Sequence, residues 1–134
     1  MINVYQINFT EEQMEEINDS STPKPDYYKA YLNTILHGDV YEAWNMGLYE
    51  HVADVSVDDL DTAFAVMNRW NAVDEKLVRR YKKLHSMSIG DIAVNKNLAP
   101  DRYAAYAVAP FGFSPLNLKG IVTWLLTQFY LQTK

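Results

Sequence analysis

Cysteine is absent from the 134 residues, which excludes disulfides, thiolate metal sites and cysteine nucleophiles together. Long apolar runs are also missing. The most apolar stretch, near 121–131, is too short to span a bilayer and contains Thr123, Thr127 and Gln128. The opening MINVYQINFTEEQMEE lacks the basic start and apolar core of a signal peptide. The expectation is a soluble protein of a reducing cytoplasm, with no membrane partner. Glycine-rich phosphate loops do not occur, and no GxSxG elbow is present, since the chain around Ser114 reads GFSPL. There are three histidines, none at the i, i+4 spacing of HExxH sites, so His37, Asp39, His51 and His85 predict no metal centre. No cofactor is expected.

What is present points to one domain over residues 1–134. A hydrophobic share of 49% and a charged share of 22% are ordinary for a globular chain of this length. Ten tyrosines and three tryptophans are an aromatic supply that serves a core or a contact surface equally well. The net charge of −5 conceals a division. Residues 1–75 carry three basic residues against fifteen acidic ones (−12), whereas residues 76–134 carry nine against two (+7). Such asymmetry orients a partner or draws the two halves together.

Periodicity outlines an α+β fold, a small, mainly antiparallel sheet packed with several short helices and a C-terminal helix. Strands are predicted near 2–9, 48–57, 91–95 and 103–110 from alternation and from valine and tyrosine content. Thr10 opens TEEQ, a capping box with Gln13, and a short acidic helix should follow. Asp26 is placed as the cap of the next helix, with Tyr28, Tyr31, Leu32, Ile35 and Leu36 on one face and Gly38 at its end. Asp39 with Glu42 restarts a short helix that stops at Gly47. Asp58 or Ser56 caps a further helix whose Leu60, Ala63, Phe64 and Met67 form a narrow apolar stripe. From Asp74 the pattern predicts helix through residue 84, with Leu77, Val78, Tyr81 and Leu84 inward. IAV and RYAAYAVA, joined by the polar loop NKNLAPD, predict an antiparallel hairpin. Ser114-Pro115 reads as the start of the last helix. That helix is apolar nearly all round, with Trp124 and Leu131 opposite its main face. It is either buried centrally or set against another chain, and these two residues are the candidate interface of a homodimer.

Three stretches hold candidate chemistry. HSMSIGD gathers His85, Ser86, Ser88 and Asp91. In an extended segment Ser86 and Ser88 share one face while His85 points to the other, so the stretch by itself makes no triad. Its simpler reading is a turn in which Ser88 and Asp91 bond local backbone groups and Gly90 supplies the turn conformation. Gly112, between Phe111 and Phe113, reads as a strand end or bulge. KLVRRYKK supplies Lys76, Arg79, Arg80, Lys82 and Lys83, with Lys96 and Arg102 downstream, and this basic helix either grips phosphates or is a solvated face balancing the acidic half.

The order Asp59-Leu60-Asp61-x-x-Phe64-x-x-x-Asn68, then HSMSIGDI, then a tyrosine-bearing strand ending in GF, resembles the YodL-like domains of phages, conjugative elements and some bacteria. The resemblance spans about residues 49–116. It implies an accessory protein of a mobile element, of the kind found beside anti-restriction or DNA-metabolism functions. It carries no catalytic residue over to this chain, and it makes Ser86, Ser88, Gly90, Asp91, Gly112 and Phe113 either fold signature or contact surface. The functional expectation is a non-enzymatic protein that binds and modulates a host protein in the host cytoplasm. The alternative is a nucleic-acid-binding module using residues 76–83 and Arg102.

Overall fold

The computed structural model describes residues 1–68, 76–95 and 104–116. They form an antiparallel sheet of six strands with four helices, an α+β architecture. In chain order these are β1 (Ile2–Ile7), α1 (Glu11–Asn18), α2 (Asp26–His37), α3 (Tyr41–Asn45), β2 (Tyr49–Val55), α4 (Leu60–Met67), β3 (Val78–Arg80), β4 (Ile92–Asn95), β5 (Ala104–Val108) and β6 (Phe113–Pro115). The strand order is β3-β2-β1-β4-β5-β6, and each neighbouring pair is antiparallel.

Alternation along the strands builds a core on each face of the sheet. Ile2 and Val4 of β1, Ala93 of β4 and Val108 of β5 meet Ala63, Val66 and Met67 of α4, with Met87 added from the loop before β4. Tyr5, Ile92, Val94, Ala105 and Ala107 turn the other way and pack with Val40, against which Trp44, Tyr49 and Leu116 are half-buried. The register slips between Val4 and Tyr5, where Val4 opposes Ala53 but Tyr5 opposes His51. The extra residue, Val52, is a bulge in β2.

Local signals set the helix ends. Thr10 and Gln13 make the reciprocal capping box, with Gln13 N donating to Thr10 Oγ1 (3.1 Å) and Thr10 N to Gln13 Oε1 (2.8 Å). Gly38 closes α2 in the left-handed conformation (φ 71°). Asp26 is the first residue of α2 and not its cap; Pro25 holds that position, and the carboxylate sits in the first turn, at the positive end of the helix. Buried positions on α2 are Ala30 and Thr34, while Leu36 is 66% exposed and leaves the expected apolar face. α4 is capped by Asp59, one residue beyond Asp58. Its carboxylate accepts from Thr62 N (2.7 Å) and from the Thr62 hydroxyl (2.9 Å).

Two expected helical segments are strand instead. Within 76–83, Val78–Arg80 forms the edge strand β3, paired Val78↔Val55, Arg79↔Asp54 and Arg80↔Ala53. The far edge of β2 offers backbone donors and acceptors there, and Leu77, Val78 and Leu84 reach the first core, so ladder bonds and burial outweigh the helix propensity of lysine and arginine. At the opposite edge, Ser114 and Pro115 lie in β6, where a proline is tolerated because an edge strand has a side without a ladder to serve. The hairpin between β5 and β6 is closed by Ala109 N donating to Gly112 O (3.0 Å) with Gly112 at φ 72°. The C-terminal helix with Trp124 and Leu131, the start at Asp74, Lys96, Arg102 and the loop 96–103 lie outside the described residues. No helix among the described residues is long and apolar enough to cross a membrane.

Candidate functional site

Between β3 and β4 the chain runs through HSMSIGD as a tight turn that feeds β4, held from three directions. Gln6, buried in β1, donates from Nε2 to His85 O (2.9 Å) and Asp91 Oδ2 (3.0 Å), and its Oε1 accepts from His85 N (3.2 Å). Asp91 Oδ2 also accepts from Ser88 N (2.9 Å), and Asp91 N donates to Ser88 O (3.0 Å). Gly90 N donates to Val108 O (2.9 Å) and the Tyr49 hydroxyl to Gly90 O, which ties the turn to β5 and β2. Gly90 adopts φ +90°, and a Cβ there would meet Thr34 Cγ2 of α2 at 2.3 Å. The glycine is therefore required twice, by backbone conformation and by close approach.

The third hold comes from α4. Asn68, its C-terminal cap, accepts from Met87 N at Oδ1 (2.7 Å) and donates from Nδ2 to Met87 O (3.3 Å). This two-point clamp sends the Met87 side chain into the core beside Val66 and Met67. Above Met87 an open cleft of about 430 Å³ is lined by Asp61 and Phe64 from α4, Met87, Ser88 and Ile89 from the turn, and Val108 to Pro110, Gly112 and Phe113 from the β5–β6 hairpin. Phe64 and Phe113 meet edge to face, with centroids 6.2 Å apart and planes at 85°. Phe111 stands at the hairpin tip, 97% exposed.

Thus the structure brings Ser88, Gly112 and Phe113 to one cleft, with Gly90 and Asp91 buried behind it, while Ser86 is exposed and outside its lining. The Ser88 hydroxyl and the His85 imidazole serve the backbone. The Ser88 hydroxyl donates to Ser86 O (3.1 Å), and His85 Nδ1 donates to the same carbonyl (2.8 Å) while lying 4.0 Å from Asp91 Oδ2. Burial pushes the Asp91 carboxyl up to about 6, against the opposing pull of the Ser88 amide, the His85 charge and Gln6. Gln6 and Asn68 organise the site, yet Gln6 was not singled out by sequence reasoning. Its signal is a buried amide, shared with Asn3, among the apolar residues of β1.

The basic stretch is divided by the strand it contains. In β3, Arg79 and Arg80 point to opposite sides of the sheet, and the Arg79 guanidinium lies 5.4 Å over the Tyr81 ring. Lys82 N donates to Val52 O (3.3 Å), Lys83 O accepts from Asn8 Nδ2 (2.8 Å), and Lys76 lies in the turn before β3.

On the sheet face away from α4 a second polar group assembles from β1, β2 and the residue after β3. Asp54 accepts from His51 Nε2 (2.6 Å), from the Tyr81 hydroxyl (2.6 Å) and from Asn3 Nδ2. Burial pushes the Asp54 carboxyl up, but the hydrogen bonds from His51 and Tyr81, the His51 charge and the Asn3 amide outweigh it, and the carboxyl titrates below its ordinary value. The same environment raises the Tyr5 phenol, first by burial and then by the Asp54 charge. Asn3 Oδ1 is buried without a hydrogen-bond partner among the described residues. Among the described residues no group of three or more His, Cys, Asp or Glu is placed to hold a metal ion. Comparison with family models, curated proteins and solved structures returned no match.

Proposed function

We propose that this chain is a non-enzymatic accessory protein of the YodL-like, phage or mobile-element type, and that it binds and modulates a host protein through the cleft between α4, the turn and the β5–β6 hairpin, whose tip carries Phe111. One observation carries the reading. The three segments that bear the resemblance, 59–68, 85–91 and the Gly112-Phe113 pair, are far apart in sequence and converge on that single apolar cleft. A phenylalanine left 97% in water beside such a cleft gives no stability to the chain that carries it, and aromatic residues of this kind anchor protein interfaces. The engagement of Ser88 and His85 by a backbone carbonyl supports a binding role for the turn over nucleophilic chemistry. The nucleic-acid reading of residues 76–83 has less support, because β alternation divides Arg79 from Arg80.

The test is affinity capture from nuclease-treated host lysate with the wild type, Phe111→Ala and an Arg79→Glu/Arg80→Glu variant. A protein retained by the wild type and by the arginine variant, and lost with Phe111→Ala, is the expected result. Capture indifferent to Phe111 would remove the cleft from the proposal. Nucleic acid recovered without nuclease, and lost with the arginine variant, would replace the reading by the nucleic-acid one.

A further inference from the structure

The His51–Asp54 group borders a cavity with which the cleft shares no lining residue. About 530 Å³ in volume, it has aromatic walls from Tyr5, Trp44 and Tyr49, His51 on one side, and Glu50 and Lys82 among its lining. The rings are packed against one another. Trp44 meets Tyr5 edge-on at 5.7 Å and Tyr49 at 5.7 Å with planes at 40°. Gly47, in the left-handed conformation after α3, contributes backbone without a side chain, and a Cβ there would meet nothing within 4 Å.

The imidazole is held with unusual completeness for a side chain that is one-third exposed. Tyr5 stacks on it at 5.0 Å with planes at 25°, and Tyr81 lies 4.9 Å from it. Asp54, kept ionised by its three donors, takes the Nε2 hydrogen. His51 Nδ1 makes no hydrogen bond to a described residue. An oriented imidazole nitrogen, aromatic walls, a cation and a carboxylate therefore surround one space of a size suited to a small ligand.

We propose that this cavity binds a nucleotide, with nucleoside monophosphates as the class that meets all four features. The aromatic walls enclose the base, since every base has a π-face for them. His51 Nδ1 hydrogen-bonds the base edge, which offers both donors and acceptors. Lys82 holds the phosphate, and Glu50 accepts from the sugar hydroxyls, the use to which a carboxylate is put beside a ribose. Each group acts on a different part of one molecule, so a bare aromatic ring or a bare phosphate satisfies only a fraction of the site. The same chemistry belongs to a free nucleotide or to one residue of a single strand.

Titration of the full chain followed by NMR of the His51 imidazole tests this, with adenosine 5′-monophosphate, adenosine, inorganic phosphate and a short oligo(dA) as probes. The expected result is a saturable shift of the His51 signals with the monophosphate. Adenosine should bind about tenfold more weakly, reflecting loss of one charge-assisted contact, and phosphate should leave the signals unmoved. Lys82→Gln, at an exposed position that keeps its backbone bond to Val52, should reduce the monophosphate to the adenosine level. Tighter binding of oligo(dA) with the same Lys82 dependence assigns the site to a strand end or residue and upholds the chemistry. Unmoved His51 signals at millimolar monophosphate, or a shift unaffected by Lys82→Gln, overturns the proposal.

Discussion

Replacing Asp91 with asparagine separates the charge of this side chain from its hydrogen bonds. Burial holds the carboxyl at about 6, against an ordinary 3.8. An acid whose folded value is raised binds its proton more tightly in the folded chain. Its favourable contribution is full below the unfolded value and is lost as pH rises through about 6. At about 1.4 kcal/mol per pH unit, ionised Asp91 costs the fold about 3 kcal/mol at neutral pH. Asparagine keeps an oxygen that accepts from Gln6 and from Ser88 N, so the turn keeps its geometry while the charge disappears. Urea unfolding of both proteins between pH 4 and 7.5, read by far-UV circular dichroism, gives the difference in stability at each pH. Taking the difference cancels the other carboxylates, including Asp54, whose depressed value makes its own contribution fade on the acid side. The difference should move in favour of Asp91→Asn by about 2.4 kcal/mol across the window, most of it between pH 4 and 6.5. A flat difference, or one that moves the other way, would mean that the Ser88, Gln6 and His85 interactions outweigh burial and that the account of the turn is wrong.

Gly90→Ala should destabilise the chain by about 3 kcal/mol, combining the cost of a left-handed backbone with overpacking against Thr34. Adding Thr34→Ser, which removes the Cγ2 but keeps the hydroxyl bonds to Ala30 O and Asp39 O, should recover the overpacking part in thermal unfolding. An undiminished loss in the double variant would place the whole cost in the backbone. Asn68→Ala leaves Met87 N without its acceptor and should cost about 1–3 kcal/mol. It should also weaken partner capture although Phe111 is intact, and capture at wild-type strength would show that the cleft does not depend on the clamp.

Signals that act within a few residues were legible. Thr10 and Gln13 complete each other's hydrogen bonds across three residues, Gly38 ends its helix by its own backbone freedom, and the alternation of β1, β4 and β5 declares strands with two faces. The errors fall where a distant partner decides. KLVRRYKK has the composition of a solvated helix, and only the open edge of β2, more than twenty residues away, turns Val78–Arg80 into a strand. Ser114-Pro115 has the form of a helix start, and pairing to Tyr106 and Ala107 overrides it. For the site, the turn at Gly90 and Asp91 was readable because aspartate and glycine act locally there. The dependence on Gln6 was not, since it arises from contacts 79 and 85 residues away.

The strand order has a consequence for synthesis. β1 is the earliest of the six described strands to leave the ribosome, yet it lies inside the sheet with β2 on one side and β4 on the other. From Ile7 to Ile92 is 85 residues, which at typical translation speeds is roughly 4–17 s. Throughout that interval the nascent chain carries a valine- and isoleucine-bearing strand with a vacant flank, the state most open to pairing with a neighbouring copy on the same message. That flank is closed only when β4 has been made and has paired with β1.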